Sequence, residues 1–373
     1  EMAPQVGSLP DPVLSVGAIS LPVDSWSMTR EAMTQVQLGL SQGIPFPGKL
    51  ALRSEAARQD AAAAALDADE FSLGLIRNVR IRWWNLVYLD RALEIVDSNK
   101  KLLRQFIHVA EVKYQVGKGL QQDVLLAQLE LSRLTDAEIG MKAARQNEQA
   151  ALDALLNRPA SDAIAVPKQV DEALPQLPDE DALLAQALAS RPLLARDARV
   201  VEAADARVAL AKKGYEPDFK LGAAYGFRQG TNPVGGQRRP DLASVTLSMT
   251  LPFFTGAKQD GELAQRRAEQ ARAEYRRQDA MQAVRAEVVQ ALADYRQARE
   301  QVLLYKSGIV PQASQTVASM MAGYQVNKVD FLNLIRAQIT LYNYETQYWK
   351  ALTGARQDLA RLAAAVGKEI AHE

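Results

Sequence analysis

Tyr114-Gln115-Val116-Gly117-Lys118 recurs as Tyr324-Gln325-Val326-Asn327-Lys328. The match runs on without a gap: Ala127-Gln128 meets Ala337-Gln338, and Leu131 meets Leu341. One constant spacing over this length predicts two similar halves. It is far too long for a solenoid, whose repeats run to about 20–50 residues. Each copy sits between a long helical stretch and a shorter one. Each half therefore reads as strand, strand, long helix, tight turn, helix.

Between Pro47 and Pro159 there is no proline, and from Leu50 to Val116 the only glycine is Gly74. Apolar residues recur in steps of three and four at Ile76, Val79, Trp83, Leu86, Leu89, Leu93 and Val96. The second half does the same at Val284, Val288, Leu292, Tyr295, Ala298, Val302 and Tyr305. This spacing approaches ~3.5 residues, the period of a coiled-coil seam. At ~1.5 Å per residue, a helix of about 65 residues is on the order of 100 Å long. Pro311, just after Gly308, is expected to kink or loosen the second rod. Gly117 and Asn327 stand at the same place in the two copies, and both residue types accept a left-handed helix cap. A returning helix follows each, so the motif reads as the tip of an αα-hairpin.

The other ends of the rods alternate with a period of two. Val36, Leu38 and Leu40 alternate with Gln35, Gln37, Gly39 and Ser41; Val245, Leu247, Met249 and Leu251 with Ser244, Thr246, Ser248 and Thr250. Phe219, Leu221, Ala223, Tyr225 and Phe227 form a third such face, and Val13 to Leu21 a weaker fourth. These predict strands of about 9–11 residues, the length of a tilted membrane strand. A hairpin at the end of a rod has no core of its own. Its apolar face needs a partner or lipid, and an open sheet cannot stand in lipid with free edges. Four strands cannot close a barrel, whereas several copies can.

The predicted boundaries follow. The first repeat covers 1–156, with strands at 13–21 and 33–43, a long helix at 49–116, a tip at 114–123 and a return helix at 120–156. A proline-rich segment covers 157–192, in which Asp179 or Asp181 is placed to cap a short helix through Gln186. By its composition it reads as a linker. The second repeat covers 193–365, with strands at 218–228 and 242–252, a long helix at 257–323, a tip at 324–333 and a return helix at 330–365. A tail occupies 366–373. The strand-to-helix junctions also match: Pro45-Phe46-Pro47-Gly48-Lys49 parallels Pro252-Phe253-Phe254-Thr255-Gly256-Ala257-Lys258. Proline ends the sheet pairing and glycine permits the bend. The phenylalanines either lie at a membrane–water boundary or plug the junction.

Composition agrees with a structural role. The 44 basic and 44 acidic residues balance, which gives no footprint for nucleic acid. The absence of cysteine excludes disulfides, thiolate metal sites and cysteine nucleophiles. His108 and His372 have no companions at metal-ligand spacing, and Met320-Met321 point in different directions on a helix, which favours packing over a thioether metal site. Asp67, Asp69 and Glu70 read as a solvated face or as charges paired between chains. No catalytic constellation or cofactor fingerprint is present, so the chain reads as no enzyme. No run reaches the 18 or so apolar residues of a spanning helix. The opening Glu1-Met2-Ala3-Pro4 reads as the start of a mature or truncated product.

The strand–strand–helix–helix repeat, the tip motif and the Pro-Phe-Gly-Lys junctions resemble the TolC family of outer-membrane efflux ducts over nearly the whole chain. Met33 to Gln42 followed by Pro45 to Leu50 is most similar to the heavy-metal branch, the CzcC- and CusC-like ducts. The resemblance implies a mainly helical, mixed fold in which 157–192, with the tail past Ala363, forms an equatorial belt around the helices. Its trimer joins a twelve-stranded outer-membrane β-barrel to a long periplasmic helical barrel. The implied function is passive exit of heavy-metal cations, with no cofactor, alongside a periplasmic adaptor and an inner-membrane RND-type pump. The alternatives are a drug-efflux or type I secretion duct of the same family, or, in another class, a soluble periplasmic coiled-coil scaffold. The family's helix ahead of the first strand is represented here by its last residues alone, and the lipid-anchoring cysteine of the branch is absent. In the family the tips carry gating and cation-selecting residues, which implies that role for Tyr114, Lys118, Asp123, Tyr324, Lys328, Asp330, Asn333 and Arg336. Asp123 matches an acidic family position; Asn333 and Arg336 depart from the pattern. Asp123 alternatively serves to start its helix.

Overall fold

The computed structural model describes residues 2–159, 164–232 and 234–369. His372, the end of the tail and residues 160–163 of the proline-rich segment lie outside them. In chain order the elements are α1 (Met2–Gly7), β1 (Val13–Ile19), β2 (Gln35–Ile44), α2 (Lys49–Gln115), α3 (Gln121–Leu155), α4 (Glu180–Ser190) and α5 (Pro192–Lys213). There follow β3 (Asp218–Arg228), β4 (Leu242–Thr250), α6 (Gln259–Leu304), a π-helical turn (Tyr305–Ile309), α7 (Val310–Gln325) and α8 (Phe331–Val366). They form two compact units, Glu1–Asp67 with Leu193–Asp279 and Ala68–Pro192 with Ala280–Glu373, each drawing on both halves of the sequence.

The first unit holds one antiparallel sheet in the order β1-β2-β3-β4. Its register brings the alternating residues together. Leu14 and Val16 lie opposite Leu40 and Leu38, Leu38 opposite Tyr225, Val36 opposite Phe227, and Leu221 and Ala223 opposite Leu247 and Val245. Because side chains alternate across a strand, this register makes one face apolar from edge to edge. The opposite face carries Ser15, Gln35, Gln37, Ser41, Ser244, Thr246 and Ser248. The apolar face is uncovered: Val16 is 71% exposed and Val245 80%. Among the described residues β1 and β4 each pair on one side only. Helix α5 belongs to the same unit. Pro192 takes its first position, where a missing N–H costs nothing, and Ala203, Ala204, Val208 and Ala211 form its buried stripe.

In the second unit four helix segments share a core. It comprises Val96, Leu103, Phe106 and Ala110 of α2, Ala127 and Leu134 of α3, Val317 and Tyr324 of α7, and Phe331, Leu334, Ile335 and Leu341 of α8. Steps of seven recur on every one of these helices, the spacing of a coiled-coil seam. Further along, Leu86, Leu89, Val284, Val288, Leu292, Tyr295 and Val302 are also buried, while Ile76 remains exposed.

The second rod is not one regular helix. At Tyr305–Ile309 it widens, and the N–H of Val310 bonds to the carbonyl of Tyr305, five residues back. Pro311 explains the change. It has no N–H for the carbonyl four residues earlier, and its ring crowds that carbonyl. One wide turn relieves both, as π-bulges do.

The described part of the 157–192 segment is tied to the helices. Arg91 donates to the Pro167 and Lys168 carbonyls, Tyr295 Oη to Pro175 (2.5 Å) and Arg356 to Ala173 (2.7 Å). Glu172 accepts from Lys306 in the π turn (2.7 Å) and from Tyr348 in α8 (2.5 Å). Asp179 caps α4 by accepting from the Ala182 N–H at 2.9 Å.

Candidate functional site: the hairpin tips and junctions

Both tips lie in the second unit, and both close with the same pair of hydrogen bonds. In the first, Lys118 N–H bonds to the Lys113 carbonyl (2.8 Å) and Gly117 N–H to Tyr114 (3.0 Å). In the second, Lys328 N–H bonds to Gly323 (2.9 Å) and Asn327 N–H to Tyr324 (3.2 Å). This is the Schellman arrangement, which satisfies the last carbonyls of a helix and needs a left-handed residue at its turn. Gly117 (φ 68°) and Asn327 (φ 58°) supply it.

The tips differ in how they fill the turn. A Cβ on Gly119 would sit 2.9 Å from Lys113 Cβ, and a Cβ on Gly323 would sit 2.6 Å from Val329 Cγ2. Residue 113 corresponds to 323, and 119 to 329. One member of each pair must be small. The glycine is the later residue in the first tip and the earlier one in the second. Pairing Lys118 with Lys328 by identity gives no hint of this exchange; the signal lay one residue on, in Gly119 opposite Val329.

The two tips meet through Tyr324. Its ring is 4% exposed, and its Oη donates to Asp123 Oδ2 at 3.2 Å. Burial first, then the Asp123 charge, holds the phenol well above its usual pKa. The Tyr324 and Phe331 rings lie 5.0 Å apart. Lys113 places its ammonium 3.9 Å from the Tyr324 ring centroid and also donates to the Tyr324 carbonyl. Asp123 lies in the first turn of α3, where a negative charge is favourable; the capping position itself is Leu120, which offers no side-chain bond.

Asp330 has a different task. It caps α8, accepting from the Asn333 N–H at 2.9 Å and from the Asn333 side chain at 2.6 Å. Asn333 is thereby absorbed into the cap. Among the described residues Lys118, Lys328 and Arg336 make no ion pair within the chain. Tyr114 is 48% exposed. A cleft of about 750 Å³ opens between the tips, lined among others by Lys113, Lys118, Asp123, Tyr324, Lys328 and Asp330.

The two junctions, in the first unit, also differ. After Pro45, the Phe46 N–H bonds to Asp218 Oδ1 (2.8 Å), and the Lys213 ammonium stands 5.0 Å from the Phe46 ring. Gly48 takes φ 93°, which turns the chain into α2. Lys49 is buried and donates to Asp218 (2.8 Å) and to the Glu216 carbonyl (3.0 Å). Across the sheet, Pro252 follows β4, Gly256 stands in the turn before α6, and Phe253 and Phe254 are 79% and 90% exposed.

Met320 and Met321 pack against the apolar core. Asp67 pairs with Arg196 (3.0 Å) and Glu70 with Arg191 (2.8 Å), so both acids are engaged within the chain. Among the described residues no group of three or more His, Asp or Glu could hold a metal ion, and no helix is long and apolar enough to cross a membrane.

An exposed apolar sheet face stands on a chain whose helices carry heptad-spaced cores and two matched tips. The model of the outer membrane efflux protein family matches residues 9–158 and 183–368, and the chain belongs to that family. It is thus an outer-membrane efflux channel protein with a long periplasmic helical part, and not an enzyme. Among solved structures it is similar to VceC from Vibrio cholerae (19% identity over 98% of this chain and 89% of that one, TM-score 0.79). It is also similar to the open state of MtrE from Neisseria gonorrhoeae (19%, 99% and 82%, TM-score 0.79) and to CusC (16%, 98% and 85%, TM-score 0.78). At these identities the likeness speaks for the fold. No curated protein sequence matches the chain significantly.

Proposed function

We propose that three copies of the chain form a passive exit duct. Their sheets join edge to edge as a twelve-stranded barrel, and the helices continue as a periplasmic tunnel. The observation that carries this reading is the sheet itself: an uncovered apolar face bounded by two unpaired edges, β1 and β4. In lipid each unsatisfied backbone group costs several kcal/mol, so an open sheet is excluded there and closure by copies satisfies both edges at once. The duct works with a periplasmic adaptor and an inner-membrane RND-type pump, which supplies the energy. The tips form its periplasmic gate, with Asp123 and Tyr324 as the link that closes it. The proposed cargo is heavy-metal cations such as copper, silver, zinc, cobalt or cadmium, on the strength of the junction sequence from Met33 to Leu50. Mass measurement in detergent tests the assembly: a trimer is expected, and a monomer stable without detergent refutes it. Deletion of the gene tests the cargo. Sensitivity to at least one of these metals is expected, and a change confined to drug tolerance or protein secretion assigns the duct to those cargoes instead.

A further inference from the structure

The four strands carry three charged residues, Asp218, Lys220 and Arg228, all in β3. All three have even numbers in that strand and so share its polar face, opposite Phe219, Leu221, Tyr225 and Phe227. Two of them are engaged. Asp218 pairs with the buried Lys49 at 2.8 Å. Arg228 donates to the Pro240 carbonyl (3.2 Å) and to the Ala32 carbonyl, and its N–H bonds to Asp241. Lys220 is exposed and has no hydrogen-bond or ion-pair partner among the described residues. Its neighbours across the ladders are Gly43 and Ser248. It borders a shallow basin floored by Ser15, Gly39, Ser41, Gly222 and Thr246. The basin is lined by small and neutral residues, and the acid of β3, Asp218, two residues along the same face, is already paired with Lys49.

We infer that Lys220 is a specificity-determining residue of the channel, forming a ring of three free ammonium groups inside the barrel that favours anions over cations. The inference rests on the trimeric duct proposed above, because the ring exists only when three sheets close with their apolar faces outward. Twelve strands about 4.8 Å apart and tilted by about 40° give a barrel ~24 Å across at the backbone. Lysines pointing inward from that wall come within about one Debye length of the axis at 0.1 M salt, roughly 10 Å. Three unit charges about 8 Å away in water, screened at that length, change the axial concentration of a monovalent ion by about threefold. The sign is upward for an anion and downward for a cation. A metal cation crosses this ring more readily when bound by an anionic ligand than when bare.

The test uses the full chain, reconstituted as trimers in planar bilayers with potassium chloride gradients. In Lys220→Gln the chloride-to-potassium permeability ratio is expected to fall by about two- to threefold at 0.1 M salt, and to differ little from wild type near 1 M, where screening shortens to about 3 Å. Lys220→Glu should move the ratio further the same way. The chain has no cysteine, so Lys220→Cys offers a single handle. A cationic thiol reagent added to inserted channels should restore the wild-type ratio, and an anionic one should lower it. Conducting trimers whose ratio is the same in wild type, Lys220→Gln and both labelled forms overturn the role of Lys220 and leave the duct intact. A thiol introduced by Lys220→Cys that reacts only with a lipid-soluble reagent overturns the assignment of the polar face to the lumen. A wild-type chain that yields no conducting trimer overturns the duct and this inference with it.

Discussion

Replacing Tyr324 by phenylalanine removes one oxygen from the place where the two hairpin tips meet. The ring stays, and with it the packing on Phe331 at 5.0 Å and the Lys113 ammonium at 3.9 Å. What is lost is the 3.2 Å hydrogen bond to Asp123 Oδ2. Both partners are at least nine-tenths buried, Tyr324 at 4% and Asp123 at 8% exposure, so water cannot readily replace the bond. A hydrogen bond to a charged group contributes about 1.5–3 kcal/mol. If opening the tips breaks the bond, its loss shifts the closed-to-open ratio in each chain by roughly 10- to 150-fold. A bond that persists in both states shifts nothing.

The assay is single-channel recording in planar bilayers on wild type, Tyr324→Phe, Asp123→Ala and the double variant, each verified as a trimer. Tyr324→Phe and Asp123→Ala should each raise the open probability or mean conductance. The double variant should resemble the larger single effect, because the two residues share one interaction. Asp330→Ala serves as a contrast: it removes a helix cap, expected to cost about 1 kcal/mol of stability, without touching the link. Tyr324→Phe trimers that conduct as wild type does, with additive effects of the two substitutions, would refute the reasoning.

Three further outcomes are expected. Gly323→Ala should destabilise the second tip by about 1–3 kcal/mol and be largely rescued by Val329→Ala, whereas Gly119→Ala should resist rescue because its new Cβ also meets the Tyr114 backbone nitrogen at 3.1 Å; denaturation in detergent measures both. Asn327→Gly should stabilise its tip by up to about 1 kcal/mol and Gly117→Ala weaken its own by about 1–2 kcal/mol, since both positions are left-handed, as read by amide exchange at the turns. Burial pushes the Glu345 carboxyl up, against the lowering effect of its Asn99 hydrogen bond; the folded state thus binds its proton more tightly than the unfolded chain, and the contribution to stability falls as pH rises from about 4.3 through the raised value. Glu345→Gln should therefore gain thermal stability over wild type at pH 8, and that advantage should shrink toward pH 4.

The strands were legible because a period of two survives any tertiary context in which one face is apolar. β3, Asp218–Arg228, extends one residue beyond its alternating apolar run, Phe219 to Phe227, at each end. β1 reads more weakly for a visible reason: Val13 and Ile19 fall on the polar face, opposite Ser41 and Gln35. Helix α5 was missed because Pro192 reads as the last proline of a loop segment, while in the structure it is the first residue of a helix. Pro311 announced a disturbance, but a helix meets a proline either by a kink or by a wide turn, and the proline alone does not say that the form is a single π turn. At the tips, the left-handed residues followed from the glycine–asparagine match. The partner of Asp123 did not. Charge pattern directs attention to Lys118, Lys328 and Arg336, yet the acid is held by a neutral phenol. A tyrosine at an apolar core position is read as packing, and nothing in its own neighbourhood names an acid far away in the chain.

The exchange of glycine between the tips also explains why the link runs in one direction. In the first tip Gly119 leaves room beside residue 113, so that position can carry a lysine. Its arm crosses to the second tip, where it covers the Tyr324 ring and donates to the Tyr324 carbonyl. In the second tip Val329 fills the equivalent room, residue 323 is glycine, and no arm returns. The same asymmetry appears at the tyrosines: Tyr324 is buried in the link, while its counterpart Tyr114 stands half exposed. Lys113→Met keeps most of the stem and removes the charge. It should loosen the second tip by about 1–2 kcal/mol, from one cation–π contact and one hydrogen bond, and speed amide exchange at Asn327 and Lys328 more than at Gly117 and Lys118. Equal acceleration in both tips would show that Lys113 acts on its own turn, and the one-way link would have to be abandoned.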